Sequence, residues 1–496
     1  MLVLRHALHQ DSAGLRAVDF ILDNGRIKAI GVDAALGVGP DMPRVDASGL
    51  LVLPGLVNAH LHSNECFERG LYGALPLERW LARAYPPLGS PAVPVRWHRL
   101  RTLLCAIDAL RSGCVAVQDD FLNPGCEPEA LDAVMQAWAD SGLRASVATT
   151  LGDRPYLDGM AFARELCPPA LAAQLDARPS LPLAVQAAFF ESSLQQWHGQ
   201  AQGRLQIMLG PRGPQHCSDS LLQQVAALAE RHGSRVHMHV LETRTQAVTA
   251  TAQGGSFIAR LQGFGLLSER LTLNHAVWVD APQIDAMARA GCHVTHNPLS
   301  NLKLGSGTAP VRAMLDAGVN VALGSDGPAT GDTADMVEVL RAAALLHRQP
   351  ETPPNQWLGA AEAWSCATTG GAASMGLVDG SGTLAVGAPA DLMLLDLRHR
   401  AFIPRHDPVA QLIYAGNSEA VHSVIVAGRL LMYGRRILAF DEDAVLDEAR
   451  EAGERFCAEH LPPKLACGAL LDPLLQDVHR RVWADVADLL ADLGAH

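Results

Sequence analysis

Hydrophobic and polar positions change their period several times along this chain. In the first fifty residues, short apolar runs alternate with turn residues, and FILDNGRIKAIG (20–31) predicts two strands joined by a hairpin at Asn24-Gly25. The next segment, LLVLPGLVNAHLH (50–62), is a continuous apolar run that ends in polar residues. Such a run is typical of a buried parallel strand whose carboxyl end opens onto a functional site. A small β unit that leads into a parallel sheet is therefore expected.

Strand-like runs then alternate with helical stretches through the middle of the chain. Each run is followed by a segment with helical periodicity. The runs are the one before His60 and those at 115–120, 144–150, 205–211, 235–242, 271–276, 292–297 and 320–326. Eight strands that each precede a helix are the count and order of a (β/α)₈ barrel. We therefore predict an α/β fold with a TIM barrel over residues 55–379.

The pattern returns to short apolar runs with glycine-marked turns after Gly376. Because both ends of the chain show this pattern, residues 1–54 and 380–440 are predicted to combine into one small β-sandwich domain beside the barrel. The tail, residues 441–496, has helical periodicity and is predicted to be a helical C-terminal extension. Three prolines are expected to break its helices: Pro462, Pro463 and Pro473.

The composition is that of a globular protein with an acidic charge balance. Of 496 residues, 49% are hydrophobic and 18% are charged, which excludes a disordered, collagen-like or coiled-coil chain. The formal net charge of −13 argues against a nucleic-acid partner and favours a neutral or cationic small molecule. The ten cysteines are scattered without a C-x-x-C pair, so neither a disulfide framework nor a cysteine zinc site is expected.

The hydropathy and the start of the chain bear on its location. The best apolar run, at 50–57, is interrupted by Pro54, and no run approaches the roughly 18 residues of a membrane span. Arg5 and His6 come before any signal-peptide core could form. A cytoplasmic protein without a membrane partner is therefore expected.

Metal-compatible side chains occur at the ends of four predicted barrel strands. His60 and His62 follow the first strand at positions i and i+2, so both imidazoles can face the same cation. His239, His275 and Asp326 lie at or near the ends of the fifth, sixth and eighth strands. Because active sites of TIM barrels gather at the carboxyl ends of the strands, these side chains are expected to meet. Imidazoles with one carboxylate suit Zn²⁺, which we favour, or Fe²⁺, with a position left for water.

Two further polar residues flank His239. Glu242 follows it by three residues, where it could reach a substrate atom beside the metal, although a glutamate favoured by a helix dipole is the alternative. His237 also faces inward on the same strand. We interpret His237 either as barrel filling or as a residue that contacts a metal ligand.

Several motifs, in order along most of the chain, resemble those of the amidohydrolase superfamily. They are PGLVNAHLH, RGLYGALPLERWL, HVLET, LNHAVWV, HNPLSNLKLGSG, LGSDG and GTLAVGAPADLMLLD. The resemblance is to the branch of triazine hydrolases and S-adenosylhomocysteine/methylthioadenosine deaminases, which is related to cytosine and guanine deaminases. It implies one divalent metal ion held by His60, His62, His239 and Asp326, and three catalytic residues, Glu242, His275 and Asp326.

The chain also departs from the motifs of this branch near the expected pocket. Where relatives often carry a stretch resembling HAPYTCS, this chain has RGPQHCS (212–218), and the loop after the last strand is PATGDTADM (328–336). Glu65 is expected to recognise a substrate N–H or cation, or else to pair with Arg69 at i+4. Further candidate pocket residues are Trp80, for which a core role is the alternative, and Asn297, Ser300 and Asn301.

The resemblance implies hydrolytic deamination of an amino-substituted N-heterocycle of the purine, pterin, pyrimidine or triazine type. The metal would lower the pKa of a water molecule, and the resulting hydroxide would attack the amine-bearing ring carbon. Asp326 would pass the water proton to the leaving ammonia, Glu242 would protonate the ring nitrogen, and His275 would hold the water. Displacement of chloride or an alkylamine from a triazine-like ring is the alternative, and a non-catalytic barrel scaffold is a remote one. A homo-oligomer, most simply a dimer, is implied by the resemblance alone.

Overall fold

The architecture consists of two β-sheets surrounded by helices. The computed structural model describes residues 1–11, 14–350, 352–377 and 379–484. Within these residues the strands are β1 (Leu2–Asp11), β2 (Gly14–Asp23), β3 (Arg26–Gly31), β4 (Arg44–Asp46), β5 (Leu50–Pro54), β6 (Leu56–Leu61), β7 (Cys114–Asp119), β8 (Arg144–Leu151), β9 (Leu205–Pro211), β10 (Val236–Val240), β11 (Leu271–His275), β12 (His293–His296), β13 (Asn320–Leu323), β14 (Leu392–Asp396), β15 (Val421–Val426), β16 (Arg429–Tyr433) and β17 (Arg436–Ile437).

The helices follow the barrel strands and fill the C-terminal tail. They are α1 (Leu77–Ala84), α2 (Val95–Arg111), α3 (Pro128–Ser141), α4 (Ala163–Leu166), α5 (Pro169–Asp176), α6 (Leu183–Trp197), α7 (Gln200–Gly203), α8 (Asp219–His232), α9 (Arg244–Ala252), α10 (Phe257–Gly263), α11 (Ala281–Ala290), α12 (Pro298–Lys303), α13 (Val311–Asp316), α14 (Met336–Leu346), α15 (Ala360–Ser365), α16 (Gly371–Ser374), α17 (Pro408–Tyr414), α18 (Glu442–Glu459) and α19 (Leu461–Ala484).

The predicted eight-stranded barrel is confirmed. Strands β6 to β13 form one sheet in chain order, and neighbouring strands pair in parallel. Chain order is expected because each right-handed crossover returns the chain to the neighbouring strand. The backbone N–H of Asp326 donates to the His60 carbonyl (3.0 Å), which joins the segment after β13 to β6. The carboxyl ends of the eight strands therefore meet at one end of the barrel.

The two ends of the chain pair in a second sheet, as predicted. Its order is β17-β16-β15-β14-β5-β1-β2-β3, with β4 paired to β1. Antiparallel pairing of β5 with β14 joins the two ends. At the predicted hairpin between β2 and β3, Asn24 and Gly25 have φ of 50° and 76°, as a tight hairpin turn requires. The domain boundaries at 1–54, 55–379 and 380–440 stay a prediction.

The apolar run at 50–62, whose pattern is typical of a buried strand, forms two strands, one in each sheet. Strand β5 ends at Pro54 and β6 begins at Leu56. Gly55 lies between them against the barrel, where an added Cβ would be 2.1 Å from Cγ1 of Val115. A glycine is therefore required where the chain passes from the outer sheet into the barrel.

The C-terminal extension packs on the barrel helices, with α18 against α2 and α19 against α1. Pro462 and Pro463 lie in the first turn of α19, where a missing N–H is tolerated. The predicted break at Pro473 is wrong, because α19 continues through it with buried leucines on both sides: Leu471, Leu474 and Leu475. The remainder of the predicted extension, 485–496, lies outside the described residues. Among the described residues, no helix combines the length and hydropathy needed to span a membrane.

Candidate active site and metal centre

Five metal-compatible side chains meet at the open end of the barrel. His60 lies near the end of β6, and His62 follows that strand. His239 lies on β10, His275 ends β11, and Asp326 follows β13. The ring centroid of His60 lies 4.8 Å from that of His62, 4.9 Å from that of His239 and 5.6 Å from that of His275. The structure therefore brings these predicted residues together.

Two of these residues have a backbone conformation that L-amino acids seldom adopt. The φ angles are 73° at His275 and 60° at Asp326. Such conformations cost on the order of 1–3 kcal/mol each and persist only where the surrounding structure holds them, often at active sites. The barrel therefore holds both side chains in place against the local preference of the backbone.

The contacts of Asp326 test whether the cluster fits a divalent cation. Its Oδ1 lies 3.3 Å from Nε2 of both His60 and His62, and its Oδ2 lies 3.9 Å from Nε2 of His275. The Nε2 atoms of His60 and His275 are buried and have no hydrogen-bond partner among the described residues. Unpartnered buried polar atoms are rare in folded proteins. Because imidazole nitrogens and carboxylate oxygens are preferred zinc ligands, the cluster fits such a cation.

The imidazoles of the cluster are mainly neutral. Burial lowers the pKa of His60 to about 4, and it also lowers the pKa values of His239 and His275 below the usual value. A neutral imidazole is the form that binds a metal. These three histidines therefore do not have to lose a proton before they can act as ligands at neutral pH.

Asp326 and His62 form the charged part of the cluster. Burial by itself would raise the pKa of Asp326, but the neighbouring imidazoles of His60 and His62 outweigh burial and hold the pKa well below its usual range. Burial would lower the pKa of His62, but Asp326 and Glu65 raise it above its usual value. A proton on His62 must therefore leave before its Nε2 can bind a metal.

His60 and His62 are each oriented by a hydrogen bond at Nδ1. Nδ1 of His60 lies 2.8 Å from Nε2 of His237, and Nδ1 of His62 lies 2.7 Å from the carbonyl oxygen of Asp120. Contacts of this kind commonly fix the ring orientation of metal-binding histidines. His237 therefore contacts a candidate ligand, which is one of the two roles predicted for it.

Three predicted pocket residues lie behind the reactive side chains. Ser300 Oγ donates to Asp326 Oδ2 (2.5 Å), and Asn301 Oδ1 lies 2.9 Å from His275 Nδ1. Asn297 is buried beside them, and none of the three side chains lines the cavity described below. Ser300 and Asn301 therefore hold Asp326 and His275 in place.

Glu242 lies in the wall of the same site, just after β10. Its Oε1 is 3.8 Å from Nδ1 of His275, and its backbone N–H donates to Oε1 of Gln246 (2.8 Å). Burial, followed by the negative charges of Asp326 and Glu78, raises the pKa of Glu242 well above its usual value. A raised pKa lets a carboxyl group keep its proton to higher pH, which suits a general acid.

A cavity opens beside the cluster and combines an apolar surface with a few polar groups. Its apolar part comes largely from α1, and its polar part from the barrel-strand ends. This combination is typical of small-molecule sites. The wall consists of His62, Glu65, Leu77, Trp80, Leu81, Tyr85, Asp120, Leu122, Arg212, Gln215, His216, His239, Glu242, Gln246, His275, Asp326 and Thr330.

Glu65 lies in this wall as a buried carboxyl group. It accepts a hydrogen bond from the Tyr85 hydroxyl (2.7 Å), and burial raises its pKa to about 7. A Cβ on Gly327 would be 1.7 Å from Glu65 Oε2, so a glycine leaves the space that the carboxylate occupies. Arg69 pairs with Asp108 (2.6 Å) instead, so the predicted alternative of a Glu65–Arg69 pair is wrong.

Trp80 belongs to the cavity wall and to the core at the same time. Its ring is buried, and its indole N–H donates to the Ala329 carbonyl (3.2 Å). The edge that lines the cavity is thus fixed by packing and by a hydrogen bond. The two roles considered for Trp80 occur together.

Asp120 is a site residue that the sequence analysis missed. Its Oδ2 lies 3.5 Å from Nδ1 of His239, and possible ligand atoms of His60, His62, Asp120 and His239 lie within 4.8 Å of one another. Asp120 directly follows β7, the second barrel strand. That position is typical of catalytic residues in TIM barrels, so a usable signal was present in the sequence.

The segment RGPQHCS (212–218), which differs from the motif of related proteins, also contributes to the cavity wall. Arg212, Gln215 and His216 line its wall. The Arg212 guanidinium makes no hydrogen bond or ion pair with the described residues. Because this segment differs from the stretch that relatives often carry at the same place, its role could not be predicted from the sequence.

The comparison with known sequences identifies the relatives of this chain. The model of the amidohydrolase family matches residues 51–431. A 5-methylthioadenosine/S-adenosylhomocysteine deaminase of Desulforudis audaxviator is 35% identical over 447 residues, which are 88% of this chain and 94% of that protein. The match therefore extends over nearly the full length of both proteins.

Two solved structures are similar over most of this chain. An adenosine deaminase of Xanthomonas campestris with bound zinc has a TM-score of 0.80 at 28% identity, and the match covers 92% of this chain and 98% of that one. The atrazine chlorohydrolase of Arthrobacter aurescens TC1, complexed with zinc, has a TM-score of 0.81 at 26% identity and covers 91% of this chain and 100% of its own. Both similar proteins contain zinc.

Proposed function

Because this chain belongs to the amidohydrolase family, we propose that it is a metal-dependent hydrolytic deaminase of an amino-substituted N-heterocycle. The observation that carries the proposal is the position of Glu242, buried in the cavity wall 3.8 Å from His275. A carboxyl group that keeps its proton there can protonate a ring nitrogen as the ring carbon becomes tetrahedral. Water is consumed, and the products are the oxo heterocycle and ammonia.

We propose that one divalent ion, zinc in preference to iron, is held by His60, His62, His239 and Asp326. The unpartnered Nε2 of His60 and the zinc in two similar structures support this assignment. Such an ion supplies a Lewis acid that makes water nucleophilic at neutral pH. The protein supplies the proton transfers and the position of the substrate.

Three side chains share the proton transfers in this proposal. Asp326 accepts a proton from the attacking water and passes it to the amine nitrogen as the C–N bond breaks. Glu242 donates its proton to the ring nitrogen next to the attacked carbon, and it takes up the second proton of the water when the new carbonyl forms, which restores its starting state. His275 is held by Asn301 (2.9 Å), so its Nε2 stays near the Asp326 carboxylate, where it can hold the attacking water.

The cavity wall provides both acceptors and donors for a planar ring. We propose that Glu65 accepts an N–H of the substrate, that Trp80 packs against the ring, and that Arg212 donates to an oxo or anionic substituent. The purine, pterin, pyrimidine and triazine classes all carry such groups. Asn297, Ser300 and Asn301 would shape the pocket from behind, through the contacts of the last two with Asp326 and His275.

A second candidate function is displacement of chloride or an alkylamine from a triazine-like ring. The similarity to the atrazine chlorohydrolase supports this second candidate function, because that protein has the same fold over 91% of this chain. Chloride leaves as a stable anion without acid assistance, whereas ammonia and an alkylamine both need a proton to leave. The buried Glu242 carboxyl group therefore favours release of an amine over displacement of chloride.

We expect the zinc-replete protein to release ammonia from at least one aminated heterocycle. The panel should contain adenine nucleosides, guanine, an aminopterin, cytosine and an aminotriazine, with the oxo product identified by mass spectrometry. Protein stripped with a chelator is the control, and activity should return when zinc is added. Release of chloride or an alkylamine from substituted triazines, without ammonia from any member of the panel, would establish the alternative.

We propose that the protein is a homodimer, as its resemblance to other amidohydrolases implies. Light scattering at micromolar concentration is expected to give twice the chain mass of 52.7 kDa. A concentration series separates a stable dimer from a weak one, because a weak dimer dissociates on dilution. A particle of 52.7 kDa at every concentration contradicts the prediction.

We also propose a cytoplasmic location on the basis of the cysteines. All ten are free thiols, and most of them are buried. Structural disulfides form and persist in oxidising compartments, whereas thiols are kept reduced in the cytoplasm. Free thiols throughout the chain therefore favour a reducing compartment.

A further inference from the structure

We propose that the C-terminal helix α19 is part of the active-site scaffold and that His479 is a positioning residue for Glu242. The inference rests on the proposed function, in which Glu242 is the proton donor. The family match ends at residue 431, and α18 and α19 follow it. Helix α19 packs against α1, which lines the cavity. Helix α19, which lies outside the family match, therefore contacts the helix that lines the cavity.

A chain of hydrogen bonds leads from α19 to the residue beside Glu242. Nε2 of His479 lies 2.8 Å from Oε2 of Glu78, which belongs to α1. The other oxygen of this carboxylate, Oε1, accepts a hydrogen bond from Thr243 Oγ1 (2.7 Å). Thr243 directly follows Glu242 in the chain. Two hydrogen bonds therefore connect His479 to the loop of the proposed catalytic acid.

Thr243 controls the geometry of this loop. Its Oγ1 also accepts a hydrogen bond from the backbone N–H of Gln246 (3.3 Å), which caps the start of α9. The Gln246 side chain in turn accepts a hydrogen bond from the backbone N–H of Glu242 (2.8 Å). Thr243 and Gln246 thus hold the turn that presents Glu242 to the cavity. A displacement of Thr243 is transmitted to Glu242 through these bonds.

Glu78 depends on His479 because its carboxylate is buried. Glu78 is 6% exposed, and one of its carboxylate oxygens contacts Thr243 while the other contacts His479. Burial would raise the pKa of Glu78, but the contacts with His479 and Thr243 outweigh it and hold the pKa below its usual value. A buried charge that loses a partner is costly, so Glu78 must rearrange when His479 is removed. Its bond to Thr243 then changes as well.

A separate contact fixes α1 to α19 at the cavity wall. Asp472 on α19 accepts hydrogen bonds from Arg79 (3.0 Å) and Arg83 (2.6 Å) on α1. Gly468 allows the close approach, because a Cβ there would be 2.3 Å from Arg83 Cγ. Helix α1 also carries Trp80, which lines the cavity. Asp472 thus holds the substrate wall, whereas His479 holds the loop of Glu242.

The test compares His479→Ala, His479→Gln and Gln476→Ala in the full-length, zinc-replete protein. Gln476 is an exposed residue one turn earlier on α19, so its variant controls for truncation of that helix. We expect His479→Ala to lower kcat by about 10- to 100-fold, the loss typical of a misplaced catalytic group, with KM within about twofold of the wild type. His479→Gln keeps an N–H donor and should recover part of kcat, and Gln476→Ala should match the wild type.

Two further comparisons distinguish positioning from general loss of structure. In a Glu242→Gln background, His479→Ala should have no additional effect, because the side chain that His479 positions can then no longer deliver a proton. Asp472→Asn should raise KM and leave kcat closer to the wild-type value, because it loosens the substrate wall. A kcat of His479→Ala within about twofold of the wild type, or an equal loss in both backgrounds, overturns the proposal.

A measurement that does not need activity separates this inference from the proposed function. Backbone amides 243–246 should exchange with deuterium faster in His479→Ala than in Gln476→Ala or the wild type, because the start of α9 loses its support. Unchanged exchange in these amides overturns the positioning role even if the enzyme proves to be a deaminase. Conversely, a wild-type protein that releases no ammonia contradicts the proposed function, while faster exchange still supports the structural link.

Discussion

Glu242→Gln is expected to lower the turnover of an aminated heterocycle by about 10²- to 10⁴-fold while the metal content stays at the wild-type level. Glutamine preserves the size of the side chain and its approach to His275 at 3.8 Å, but it cannot deliver a proton to the ring nitrogen. Glu242 is also not among the proposed metal ligands, so the loss should be confined to the chemical step.

Steady-state kinetics and elemental analysis on the same preparation measure this effect. Glu230→Gln is the matched control, because it makes the same carboxyl-to-amide replacement at an exposed position on α8, without contact with the site. If Glu242→Gln retains near-normal turnover of an amino-heterocycle, protonation of the ring nitrogen by Glu242 is wrong. Displacement of a better leaving group, which needs less acid assistance, then becomes the favoured function.

His239→Ala is expected to remove metal and activity together. His239 contributes one of the proposed inner ligands, and its ring centroid lies 4.9 Å from His60 and 5.4 Å from His275. Loss of a residue that merely orients a ligand typically costs about 10- to 100-fold in metal affinity or activity, so loss of the ligand should exceed that range. Chelator titration and elemental analysis give the metal affinity, and ammonia release gives the activity.

The control for His239→Ala is His406→Ala, which deletes an exposed imidazole far along the chain. It should leave both metal content and turnover unchanged. A His239→Ala protein that keeps a full metal complement would remove His239 from the ligand set and would make Asp120 the next candidate, because its carboxylate is 3.5 Å from His239. The two variants together separate binding of the metal from transfer of the proton.

The barrel could be predicted because its strands are marked locally. A strand buried on both faces is an apolar run, and the eight runs are separated by helical segments, so β6 to β13 follow from periodicity alone. The positions of His60, His239 and Asp326 at strand ends then predict a shared site, since all parallel strands of a barrel end on one side. The resemblance to amidohydrolases is confirmed by the family match over residues 51–431.

The sequence left other features undecided because they depend on contacts between distant segments. The separation of β5 from β6 depends on the space available at Gly55, and the continuation of α19 through Pro473 depends on burial of the leucines around it. A proline or a glycine in the sequence does not by itself show whether packing will end the element at that residue or continue it. Tertiary packing outweighs the local preference of the backbone in both places.

The sequence by itself predicted the fold class and the five residues that meet at the end of the barrel, because strand period and strand-end position are local properties. The family followed from the resemblance of its motifs. Only the tertiary structure decided what surrounds them. Arg212 and Asp120 enter the cavity wall from other loops, and His479 reaches the loop of Glu242 through a residue of α1. Side chains hundreds of residues apart interact only when packing brings their elements together, and no local pattern in the sequence encodes that distance.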